Sequence, residues 1–399
     1  MIAGYRRAFN AAFHDDGHRR LVGSLAAAAG VPIEFPVSET PCFLPQSLLD
    51  DLEAASQAMI AQLLGDAGYL RAADANVPAR FRMPNGEKQP TFIQVDFGLV
   101  DVGGRIEGRL VELQAFPSLY GFQAVLGETY RAVWGPNDVS VFPSGLDADG
   151  YHAVVGRAIL GGHNPANVVL MEVDPDHQKT RPDFVTTEKR WGVRAIDVRS
   201  VINEGRWLFY VRDGRKTIIH RVYNRLIPDD VERLGLELPF DYRDDLEVEW
   251  TGSPEWFFRI SKFSLPHLRH PWVPKTTFLS EPGTDFVPGD PGWLLKPLFS
   301  YAGGGIVFAP TEADIAAIPA DRRHLYVLQE RVSFTPVIDT PHGATQVEIR
   351  MMFVRDGDAY RFVLPLLRMG RGRMMGVDHN KGLRWVGASA GLVAAAPAG

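Results

Sequence analysis

The chain has 399 residues, enough for two or three domains, and 45% of them are hydrophobic, the proportion of a globular protein with a large core. Its 42 basic and 48 acidic side chains are spread along the sequence and leave a net charge of −6, which argues against nucleic acid or an anionic membrane as partner and for small molecules. Cys42, the single cysteine, excludes an internal disulfide and a thiolate metal cluster and fits a reducing compartment.

Met1 to Arg20 lacks the apolar stretch of a signal peptide, and no run approaches the ~18 apolar residues that span a bilayer, so the expected location is cytoplasmic. Tyr5, Phe9 and Phe13, followed by Leu21 and Leu25, predict helix over residues 1–30 with Gly30 as its stop. Pro32 to Pro45 breaks regularity, and Cys42, between Pro41 and Phe43, reads as a structural thiol in a linker-like stretch. A second helix, Leu48 to Gly65, aligns Leu49, Leu52, Ala55, Met59 and Leu63 on one side. Residues 1–90 thus read as a helical scaffold.

Thr91 to Asp101 and Arg109 to Pro117 alternate on either side of Gly103-Gly104, which predicts an antiparallel hairpin. A period of two puts Asp96 on one strand and both Glu112 and Gln114 on a single face of the other. Three oxygen-bearing side chains so placed suit a hard cation such as magnesium held against phosphates; a solvated polar face is the alternative.

Tyr120 to Trp134 predicts a helix. Val168 to Val173, Gln178 to Gly192 and Val193 to Val198 read as strand, helix and strand, which favours an α/β layer in mid-chain. Trp207 to Arg212 and Thr217 to Val222 predict a hairpin about Asp213-Gly214. Arg225 stands at a strand exit, as either a substrate contact or a salt bridge. Residues 91–250 form the expected middle unit, and 251–390 the third.

In that third unit Lys262 is a lone cation among apolar neighbours. Trp293 to Phe308 is an apolar run carrying Lys296, then Ser300 and Gly303-Gly304-Gly305, then a second apolar run. Three glycines let successive N–H groups turn toward one anion, a triphosphate being the natural guest; an ordinary hairpin turn is the other reading. Thr311 to Ile318 predicts a helix capped by Thr311, and Leu325 to Val332 a strand. Val347 to Val354 and Tyr360 to Leu367 form a hairpin about Asp356-Gly357, with Glu348 and Arg350 on one face. Arg368 to Gly382, with Arg371, Arg373, Asn380 and Lys381, reads as a mobile phosphate-facing loop or a plain surface loop. Residues 391–399 are expected to be a disordered tail.

In this order the pieces resemble the ATP-grasp ligases, and more closely the circularly permuted, glutathionylspermidine synthetase-like branch. Asp96 followed by Glu112-Leu113-Gln114 resembles the family's aspartate and glutamate-x-asparagine metal ligands. Lys262 in Ser261-Lys-Phe-Ser-Leu-Pro266 and Lys296-Pro297 before Gly303-Gly304 resemble its two nucleotide lysines. Gln329-Glu330-Arg331-Val332 looks like the adenine and ribose hinge. The resemblance departs at Gln114, in place of asparagine, and at Gln94, where the family has an arginine.

The resemblance implies an α/β (α+β) fold, with antiparallel sheets and flanking helices enclosing a nucleotide cleft, and ATP and Mg2+ as cofactors. Lys262, Lys296, Ser300, Gly303 to Gly305, Gln329, Glu330 and Val332 would hold the nucleotide, and Asp96, Glu112 and Gln114 the metal. Arg350, Arg368 and Arg371 are the candidates to steady an acyl phosphate. The implied reaction is ligation of a carboxylate to an amine. An ATP-using phosphotransferase and a non-catalytic nucleotide-binding protein remain open.

Overall fold

The computed structural model describes residues 1–136, 138–143, 145–300, 303–376, 380 and 382–394. Lys381 and the last five positions of the expected tail lie outside the described residues. The protein has an α+β architecture built on one large, mostly antiparallel sheet, whose strands run in the spatial order Cys42–Leu44, Gly387–Ala394, Ala359–Gly370, Gln346–Asp356, Phe92–Val102 and Arg105–Gln114. Its strands come from residues 42–140 and 346–394 of the chain.

Alternation along these strands sorts the side chains into two layers. Ile93, Val95, Phe97, Ile349, Met351, Phe353, Leu367 and Met369 pack with Leu49, Leu52, Ala55, Met59 and Leu63 of the helix Gln46–Gly65. The opposite face is divided along the strands. At one end Phe92, Met352, Val354, Leu364 and Leu366 join a second core with Tyr120 and Tyr151, from the helices Tyr120–Trp134 and Ala148–Leu160. At the other end the same face carries Gln94, Asp96, Glu348, Arg350 and Arg368, all in register on three neighbouring strands. Apolar residues fix how the layers stack, and the polar end is left for a cleft.

The middle of the chain forms a separate parallel sheet in the order Glu249–Thr251, Arg221–Asn224, Val168–Glu172, Arg194–Asp197. It shares the second core with the large sheet through Val168, Leu170 and Tyr223. Arg225, at the exit of one of its strands, is tied to the buried Asp183 at 2.6 Å. Asp183 also accepts the backbone N–H groups of Gly121 and Phe122 at 2.8 and 3.0 Å, so it caps the helix that follows the acidic hairpin. Arg225 is therefore half of a buried ion pair that anchors this helix.

The third sheet is antiparallel, in the order Thr276–Phe278, Tyr326–Glu330, Trp293–Pro297, Val307–Phe308. The two runs flanking the glycine loop pair directly, Leu294 with Phe308, as the hairpin reading expects. Among the described residues no helix is long and apolar enough to cross a membrane.

Several expectations change for physical reasons. The first 30 residues form two helices, Ala3–Ala12 and Asp15–Ala29, because His14 is extended and its ring accepts the N–H of Gly17 as a cap. Cys42 is not in a linker: Cys42–Leu44 pairs in parallel with Gly391 to Val393, so the expected tail is ordered to Ala394 as a sheet strand. Thr217 to Val222 is split, since the hairpin ends at Ile219 and Arg221–Asn224 joins the parallel sheet. The helix Ala148–Leu160, capped by Asp147, was not among the expected elements.

Candidate functional site

The early hairpin and the late lysines meet. Lys262, the first residue of a 3-10 helix, directs its ammonium between the backbone oxygen of Ser300, to which it donates, and Glu112, 3.8 Å away. Lys262 and Lys296 are both buried, at 5% and 4% exposure. Beside Lys262 a crevice of about 30 Å³ is lined by Glu112, Gln114, Phe116, Phe257, Lys262 and Ser300. That is roughly the room of one water molecule and far below the ~300–1,000 Å³ typical of small-molecule pockets, so a nucleotide would enter only as the crevice opens. A larger groove, about 550 Å³, runs among the helices Asp15–Ala29, Tyr120–Trp134 and Arg181–Trp191, where ionisable groups do not converge in the same way. Chemistry, rather than volume, places the site at the crevice.

Lys296 sits in the third sheet with its side chain on the same face as Gln329, since Lys296 pairs with Val327 and Leu294 with Gln329. Burial lowers its pKa to about 8, helped by the nearby charge of Lys262 and opposed by Glu112 and Glu348. No hydrogen-bond acceptor among the described residues reaches its ammonium. The amide nitrogen of Gln329 and Nε of Arg368 are likewise buried without a partner. Unspent buried donors are costly unless a ligand completes them.

On the hairpin side, Arg350 lies opposite Asp96 in the register and grips its carboxylate with two bonds, both 2.6 Å. Arg368 adds a third at 2.7 Å and pairs with Glu348 at 2.6 Å. Arg350 continues past Asp96. Its Nη1 donates to Gln94 at 3.0 Å and Glu112 lies 4.0 Å off; with the Gln114 amide turned so that its oxygen faces Arg350, that oxygen accepts from both terminal nitrogens at 2.7 and 2.8 Å. Proximity to Asp96 holds the Arg350 guanidinium above its ordinary range despite burial. Burial pushes Glu348 up to about 7, with Asp96 adding to the rise and Arg368 opposing it.

The three expected metal ligands are therefore together, but joined by a guanidinium. Magnesium takes six oxygens at about 2.1 Å. Asp96 has both oxygens committed to arginine and Gln114 has its amide oxygen committed likewise, so the set as folded does not fit a metal. No group of three or more His, Cys, Asp or Glu side chains among the described residues is arranged to hold one.

The remaining candidates divide. Gly303 and Gly305 have φ of 78° and 71°, and a Cβ on Gly303 would meet the Met374 Cε at 2.2 Å, so the basic segment lies over the glycine loop. Gly304 is in the same turn. Glu330 ends its strand exposed, and Val332 lies just beyond it. Arg371 is not in the cluster: its guanidinium donates to Thr345 Oγ1 and to the carbonyl of Arg384, and its backbone N–H to Asn380. Two residues outside the expected set belong to the site. Glu348 was legible from its two-residue offset to Arg350. Phe334 packs its ring against Gly98, two residues beyond Asp96, where a Cβ would stand 2.1 Å away, and it had no local signal.

No family model matches the chain, and no curated protein matches it. Among solved structures, a glutathione synthetase-like effector from Globodera pallida, in its apo form, superposes with a TM-score of 0.59 at 12% identity, over 94% of this chain and 96% of that one. The likeness is one of fold. This protein thus has an α+β fold similar to that of a glutathione synthetase-like protein along nearly its whole length.

Proposed function

We propose that the chain is an ATP-dependent carboxylate–amine ligase of the ATP-grasp type, with its nucleotide in the crevice between the acidic hairpin and the lysine sheet. The observation that carries this reading is the 3.8 Å approach of Lys262 to Glu112, which joins segments 150 positions apart into one cleft. The charge balance supports an anionic guest: Lys262, Lys296, Arg350 and Arg368 face Asp96, Glu112 and Glu348, the last pushed up to about 7. The fold likeness supports the same class.

In this reading Lys262 and Lys296 bind phosphate oxygens, and the strand carrying Gln329 and Glu330, with Val332 just past its end, borders the base. A substrate carboxylate attacks the γ-phosphorus, ADP departs, and an acyl phosphate forms. An amine then attacks the acyl carbon, phosphate leaves, and the amine proton passes to a base, for which Glu348 has a suitable proton affinity. Arg368 neutralises charge on the transferred group, since phosphoryl transfer needs mainly positioning and electrostatic help. Magnesium, implied by the same resemblance, does not fit the hairpin as folded, and no step here passes through it.

A second reading, nucleotide binding without turnover, is favoured by the lodging of Arg350 among Asp96, Gln114 and Glu112. One assay separates the two. ADP release is measured with the purified chain, ATP and panels of amino acids, short peptides and polyamines. The ligase reading expects release only when an acid and an amine are both present. Release with the acid alone indicates a phosphotransferase, and ATP binding with no release across the panel indicates a binding protein.

A further inference from the structure

We infer that Arg350 stands in for a divalent cation, so that this cleft binds the polyphosphate of its nucleotide through arginine and lysine with no metal held by the protein. The inference rests on the polyphosphate reading of the cleft given above. Its basis is where Arg350 sits. The guanidinium bonds Asp96 twice at 2.6 Å and stands 4.0 Å from Glu112, and with the Gln114 amide turned oxygen-inward it holds that oxygen at 2.7 and 2.8 Å, so one side chain satisfies the residues that would surround an ion. Gln94, neutral and fully buried, closes the set through its 3.0 Å contact with Nη1.

Electrostatics makes this arrangement exclusive. A divalent ion among the same oxygens would stand within a few ångströms of a buried guanidinium, and expelling Arg350 would strip a buried cation of its partners. Arg368 reinforces the effect by taking a further bond to Asp96 at 2.7 Å. The buried donors still unspent are Nε of Arg368 and the Gln329 amide nitrogen, and the buried Lys296 side chain adds its charge to the same cluster. They call for anionic oxygens. The hairpin and the lysine sheet together thus supply fixed positive charge where a magnesium ion would otherwise be needed to offset phosphate.

Two measurements on the full-length protein test this. ATP affinity is determined by calorimetry in EDTA and in excess Mg2+, and Mn2+ binding to the nucleotide-free protein by electron paramagnetic resonance. The expected result is an EDTA affinity within about threefold of the Mg2+ value and no bound Mn2+. Arg350→Met should lose at least about tenfold of the EDTA affinity and acquire a Mn2+ site, because Glu112, Gln114 and the Asp96 oxygen not held by Arg368 are then freed. Should that variant not fold, Arg350→Gln, which keeps a donor toward Asp96 and removes only the positive charge, should show the same loss of ATP affinity in EDTA. Mn2+ bound by the wild-type chain, or ATP bound only with Mg2+, would overturn the inference and leave the nucleotide reading intact. Absence of ATP binding in both conditions overturns both.

Discussion

At the scale of single residues, Lys296 shows how packing sets chemistry. Its ammonium is buried in the cleft, and the loss of water is the largest reason its pKa falls to about 8. The folded chain therefore holds fewer protons at this site than the unfolded chain between about pH 8 and the ordinary lysine value of 10.5. Its charge costs stability below about 8, and the cost is relieved as pH rises through that window. Anion binding has the opposite demand, since it needs the charged form. ATP affinity should accordingly fall as pH rises above 8, by about tenfold in all. In Lys296→Met that dependence should vanish, with affinity at neutral pH roughly tenfold weaker and a melting temperature no lower than wild type. Calorimetric titrations from pH 7 to 10, with a thermal melt, check all three.

At the scale of elements, the helix Gln46–Gly65 backs the hairpin. Leu52 is fully buried, and its Cδ2 lies only 2.7 Å from where a Cβ on Gly108 would stand, so the helix rests against the strand that carries Glu112 and Gln114. Leu52→Ala should destabilise the protein by about 2–5 kcal/mol, read from denaturant unfolding, with the cavity opening beneath the acidic hairpin. This helix, the acidic hairpin and the helix Tyr120–Trp134 were legible because each carries its own complete period of apolar residues. Cys42–Leu44 and Gly387–Ala394 were not. Three residues after a proline-rich stretch, and a small-residue segment near the end of the sequence, have no periodicity until each supplies the other with a partner.

At the scale of the whole molecule, the large sheet closes only when distant parts of the chain meet. Gly387–Ala394 lies between Cys42–Leu44 and Ala359–Gly370, so it is an interior strand although it comes last. Ending the chain at Val386 should expose both neighbouring strands and abolish the cooperative thermal transition, with loss of near-ultraviolet circular dichroism. A sharp unchanged melt in that truncation would mean the strand is dispensable. The same long-range closure brings Lys262 and Lys296 to the hairpin, and it draws Arg371, expected in the cleft, to Thr345 and Arg384.

What the amino-acid order determined alone is local. Alternation put Asp96 on one strand and Glu112 with Gln114 on a single face of the other, and set Glu348 beside Arg350. Three consecutive glycines, with a lysine on the strand before them, marked the loop. Only tertiary structure decided that Arg350 lies opposite Asp96, because strand register between positions 254 residues apart is set by the packing of whole layers and leaves no trace in a local window. That non-local choice turns a trio of apparent metal ligands into the seat of a guanidinium.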